Sequence, residues 1–204
     1  MLIKLLSETD KQHLIGLAKL LALADKPLLW DGKRPDEFSS DTDLSALSIQ
    51  AGEPEKELIA ELEKSVGSRS TMFSSLTSFS SAFSSMSPSL IATASDIEER
   101  LIEVLKTFPI PKLEKSETRV QAAATVLKEL LRGKTFELLS TPKVLLFELL
   151  LVALRDGNIS SIEWALLKEF QQHHQLEDFL FDDLLERAET LNREVSKTIS
   201  IILE

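Results

Sequence analysis

The stretch VLLFELLLVALRDGNISSIEWALLKEF, residues 144–170, decides the fold. Its opening run, residues 144–154, is apolar apart from Glu148. A bilayer span needs about twenty such residues, so this run is too short to cross a membrane. It is also too evenly apolar for a surface helix with one wet face, and reads as a helix buried on nearly all sides. Asp156-Gly157 then stops it, because glycine takes the left-handed conformation that ends helices. Ser160 and Glu163 stand three residues apart, the spacing of a capping box, and a second helix runs on to about His173.

The same grammar extends along the rest of the chain. The six glycines and seven prolines sit mostly between periodic segments. A first helix is expected over about 8–24, with Ser7 as N-cap, Asp10 at its third position, and Leu14, Leu17, Ala18, Leu21 and Ala24 as its apolar stripe. DKPLLWDGKRPDEFSSDTD (25–43) reads as an acidic loop, in which Trp30 is either a partner anchor or a core residue. Short helices are expected near 44–50 and 54–66, the latter with Pro54 in its first turn. Further helices are expected over 97–108 behind a Ser95–Glu98 capping box, over 117–132 closed by Gly133, and from Pro142 behind Thr141. The last two are expected at about 176–190 and 193–203. The fold class is therefore all-α, a multi-helix bundle.

Composition narrows the chemistry. Hydrophobic residues make up 43% and charged residues 27% of the 204, with a formal net charge of −10. An acidic chain repels phosphate backbones and anionic lipid surfaces, so no nucleic-acid partner is expected. With no cysteine, disulfides, thiolate catalysis and zinc–cysteine sites are excluded, and a reducing, cytoplasmic setting fits. No metalloprotease, nucleophile-elbow, P-loop or dinucleotide-binding motif is present. An enzyme is not expected. His173 and His174 point about 100° apart on a helix, which suits a helix C-terminus better than a shared metal.

One segment departs from ordinary helical composition. Between Ser70 and Ser95 there is no charged residue, and 14 of those 26 are Ser or Thr. Yet Met72, Leu76, Phe79, Phe83 and Met86 keep a 4-3-4-3 spacing, with Phe73 beside them. On a helix these five fall on one face within roughly 80°. Serine is an indifferent helix former, so such a helix needs an apolar surface to form on. An ordinary outer face would display Lys and Glu, and this one has none. The alternatives are packing on its own domain, a membrane interface read through packing defects, or a partner groove or self-association through the stripe.

An internal echo links the ends of the chain. LIGLAKLLALADKPLL (14–29) and LLFELLLVALRDGNIS (145–160) both run from an apolar helix to an aspartate and a turn. LLVALRDGNISSIEWALLKEF with HHQLEDFLFDDLLERA resembles the second half of a TerB-like domain, the helical fold of the tellurite-resistance protein family. LSETDKQHLIGLAKLLALADKPLL resembles the first half. Asp25 stands where Asp156 stands in the second copy, while Lys26 replaces the glycine. The resemblance implies two pseudo-repeated halves, 1–66 and 96–204, while the insertion between them at 67–95 departs from the family pattern. It further implies a non-enzymatic stress-response or accessory scaffold, cytoplasmic or peripheral to the inner face of a membrane, with acidic patches proposed to bind metal ions.

A cation site is the rival expectation. Hard cations need several converging oxygens. Asp156, Asn158, Ser160 and Glu163 offer them, the first three at alternate positions like the start of a calcium loop, and the echo adds Asp25. The rest of a calcium loop is missing, with Ser161 sixth and Leu167 twelfth. A helix stop followed by a capping box accounts for the same residues. No cofactor other than such a divalent cation is expected.

Overall fold

The computed structural model describes residues 2–52, 57, 59–64 and 94–203. The chain is predominantly helical, as expected. Its helices are α1 (Glu8–Ala24), α2 (Ala94–Leu105), α3 (Ser116–Leu131), α4 (Thr141–Ala153), α5 (Ser161–His173) and α6 (Asp178–Leu203). Residues 59–64 are also helical. The sheet among the described residues pairs β1 (Leu28–Trp30) with β2 (Leu47–Ile49).

The architecture is a central helix with a jacket. α1 is buried without a break from Leu14 to Ala24, where the sequence suggested one stripe. α2, α3, α4 and α5 all pack on it. Its start is set by Ser7, whose Oγ accepts from the Asp10 N–H at 3.1 Å. α4 is the second deeply buried helix, packed on α1, α5 and α6. Its Glu148 is 1% exposed and accepts from the backbone N–H of Leu2, which holds the N-terminal turn Ile3–Leu5 against the core. Burial raises the Glu148 pKa, against the backbone N–H groups of Leu2 and Ile3. After α4, Gly157 takes φ 85° and its N–H closes on the Leu154 carbonyl at 2.9 Å. Ser160 and Glu163 then form the expected capping box of α5.

Four local expectations are corrected. Residues 44–50 form no helix, because Leu47–Ile49 is a strand. β1 and β2 are antiparallel, with Leu28 opposite Ile49 and Trp30 opposite Leu47. Those four side chains are all buried, and the period of two that puts them on one face outweighed the short helical pattern. Asp31 and Gly32 take φ 52° and 73°, so a tight primed turn follows β1, and Trp30 is a core residue. The C-terminal region is one helix and not two. No Gly or Pro interrupts residues 190–193, and the Asn192 amide donates to the Leu154 carbonyl at 2.8 Å instead of competing with its own backbone. α2 begins at Ala94, which places Ser95 inside it. α4 takes Ser140 as its N-cap residue, which leaves Thr141 as the first helical position.

Among the described residues no helix is long and apolar enough to cross a membrane. Gly16 lies in the middle of α1, and a Cβ there would meet only Ile97 Cδ1 and Leu130 Cδ2, each at 3.9 Å. That is ordinary van der Waals contact. Gly16→Ala is therefore expected to stabilise the fold by about 0.5–1 kcal/mol through helix propensity. Urea unfolding tests this, and a loss of stability would show that α2 and α3 pack closer to α1 than described.

Candidate functional site

The end of α1 lies inside the molecule, and this creates a chemical problem. The last carbonyls of a helix have no partner within it. Here they are met by Arg119, on the buried face of α3 and 6% exposed. Its Nη2 donates to the carbonyls of Ala24 at 2.6 Å and Lys26 at 2.7 Å, with Leu23 at 3.5 Å. Burial pulls the Arg119 pKa down, opposed by the charges of Asp25 and Glu114. A guanidinium remains protonated at any working pH.

Beside this cap the echo becomes physical. Lys26 Nζ lies 3.6 Å from Asp25 Oδ1 and 3.6 Å from Asp156 Oδ2. The turns ending α1 and α4 therefore meet at one ammonium group, between two aspartates 131 positions apart in sequence. Glu163 is close enough for the Asp25 charge to raise its pKa, although burial is the larger cause and the Ser160 hydrogen bonds oppose both. The Glu163 carboxylate accepts the Ser160 N–H at 2.8 Å and is thereby occupied. Asn158 is exposed on the turn.

The structure thus brings together Asp25 and Asp156, places Glu163 nearby in a capping role, and leaves Asn158 at the surface. Among the described residues no group of three or more His, Cys, Asp or Glu is arranged to hold a metal ion. The cation between the aspartates is the chain's own Lys26. The acids of the first loop, Asp31, Asp36, Glu37, Asp41 and Asp43, are all exposed, as a solvated loop requires. His173 and His174 do end α5, as expected. His174 packs against Phe170 and Phe136, and burial, together with the neighbouring His173 charge, lowers its pKa to about 4.

Met72, Phe73, Leu76, Phe79, Phe83 and Met86 lie outside the described residues. Their flanks are described. On one side Leu62 is buried and Glu63 Oε1 meets Lys19 Nζ at 2.6 Å. On the other, Ile97 is buried against the position of Gly16. Lys19 and Gly16 are three residues apart on α1, about 5 Å along its axis and on neighbouring faces. Glu63 and Ile97 therefore meet α1 about one turn apart. Arg155 Nη1, at 3.6 Å from Glu61, adds a contact from the end of α4. A second apolar stripe is exposed on α6, at Leu191, Val195, Ile199 and Ile202.

Two residues that organise this region, Arg119 and Lys26, were missed by motif reading. Arg119 had a sequence signal: it lies three and four positions before Ala122 and Ala123, on the buried stripe of its helix. No family model, curated protein or solved structure matches the chain.

Replacing Arg119 with Met should leave buried carbonyls without a donor and cost at least about 2 kcal/mol. Arg119→Lys should recover only part of that, since one ammonium lacks the planar fork. Chemical denaturation of both variants checks this. A Met variant within about 0.5 kcal/mol of the parent, the range of ordinary surface changes, would mean that water already satisfies these groups.

Proposed function

We propose that this chain is a non-enzymatic, TerB-like accessory scaffold of a stress response. It engages a membrane surface or a partner protein through the apolar stripe Met72, Leu76, Phe79, Phe83 and Met86, with Phe73 alongside. The observation that supports this most is the seating of the stripe's flanks, Glu63 and Ile97, one turn apart on the most buried helix. The composition of the segment supplies the rest of the case. Bulky apolar residues opposite a Ser/Thr face suit a neutral interface, because such a surface recognises packing defects without needing lipid charge. A chargeless Phe-bearing stripe without a cover would be an aggregation hazard, so the reading requires an occupant.

The alternative is a divalent-cation module built on Asp25, Asp156, Asn158 and Glu163. In its favour, the two aspartates do converge across the fold. Against it, the Lys26 ammonium already sits between them and Glu163 caps α5. Chelator should leave the melting temperature of the protein unchanged. A fall of several degrees that calcium reverses would favour the cation module.

Flotation with small neutral vesicles tests the leading reading. The parent should float, and a Phe79→Ser, Phe83→Ser variant should remain in the dense fraction. If neither floats while both stay folded, the membrane arm fails and the stripe is assigned to a protein partner, to be sought by pull-down with the same pair.

A further inference from the structure

His13 and His174 meet around one phenylalanine. His13 lies on α1 and His174 ends α5, while Phe136 belongs to the connection between α3 and α4. The Phe136 ring is 6.0 Å from His13 and 5.3 Å from His174, and Phe170 closes the group at 4.5 Å from His174. Both Nε2 atoms are buried with no hydrogen-bond partner among the described residues. An imidazolium needs a partner for each N–H, so this cage accepts the rings only while they are neutral.

The charges around the cage oppose protonation on balance. From the connection, Lys134 Nζ sits 5.3 Å over the Phe136 ring and pairs with Asp10 of α1 at 2.9 Å. Asp10 favours a charge on His13, but Lys134 and His174 both disfavour it. His173, edge-on to His174 at 4.8 Å between ring centres, disfavours a charge there. The same connection carries Leu138 and Leu139, both exposed, and is tied at its ends by Lys134 N–H to the Leu131 carbonyl and Thr141 N–H to the Leu138 carbonyl.

We propose that the His13–Phe136–His174 cage is an acid-released latch, which holds residues 134–140 against α1 and α5 when neutral and frees them when the imidazoles take up protons. Burial lowers both histidines to about 4, against an unfolded value near 6.5. Between those values the opened state binds more protons than the closed one, so closure is fully favoured above about pH 6.5 and weakens as pH falls towards 4. By pH 4.5 each histidine should shift the balance towards opening by a factor on the order of tens. Release would uncover Phe136 beside Leu138 and Leu139, an apolar patch available only in acid.

Amide hydrogen exchange, corrected for the intrinsic pH dependence of the chemistry, tests the latch on the full chain. Between pH 7.5 and 5.0 the amides of Lys134 and Thr141 should lose protection at least several-fold relative to those of Leu149 and Leu150 in α4. In a His13→Phe, His174→Phe variant, which keeps ring packing without a titrating group, that difference should vanish. An equal pH response in parent and variant, or none in the parent, would overturn the proposal. Should the double variant fail to fold, NMR titration of the parent's imidazoles decides. Titration of both well below 6.5 supports the latch, and a midpoint near 6.5 for either removes it.

Discussion

The contact on which the rest depends is Arg119 against the carbonyls at the end of α1. A helix surrounded by four others must end somewhere dry, and dry carbonyls need a donor. α1 supplies none for itself, since no basic residue lies in its last turn. Arg119 reaches in from α3 and fixes where that helix stops and how α3 lies beside it. Once the end of α1 is fixed, Lys26 follows at a defined place, and the turn after α4 closes onto it through Asp156. The turns that follow α1 and α4 thus meet beside one buried guanidinium.

How much of this was legible in sequence depended on the range of the force involved. Local chemistry was clear. Ser7 with Asp10, Ser160 with Glu163, and Gly157 mark helix ends where hydrogen bonds span three or four residues. The burial of 144–154 followed from composition, including the oddity of Glu148, though not its role in holding the N-terminal turn. Partnerships across the fold were not legible. The β-hairpin was missed because Leu28, Trp30, Leu47 and Ile49 show their common face only when the two short strands are paired. The break expected near residue 191 came from polar residues that look like a turn, yet Asn192 finds its partner 38 positions away.

The candidate site divides along the same line. Asp25 and Asp156 were matched by the echo, and they do come together. What the echo could not show is that the residue breaking the pattern, Lys26, supplies the charge between them. The two echoing segments also diverge immediately afterwards, into a hairpin on one side and α5 on the other. A cation reading and a structural ion pair use the same carboxylates, and only the position of the ammonium separates them. The histidines show a similar conflict of local and tertiary forces. A helix C-terminus favours a protonated ring by up to about 2 kcal/mol, but a cage of aromatic rings favours the neutral one, and here the cage prevails.

We propose that the Phe79/Phe83 stripe engages a membrane surface or a partner protein and not its own domain. The chain has no cysteine, so a single one introduced at either Phe79 or Ser81 can be labelled uniquely. The direct measurement is the rate at which each reacts with a water-soluble maleimide in the isolated, monomeric protein. The account expects the two positions to react at similar rates, with Phe79→Cys alone becoming protected when neutral vesicles or a captured partner is added. Strong protection of position 79 in the isolated monomer, unchanged by either addition, would place the stripe against its own body and contradict the account.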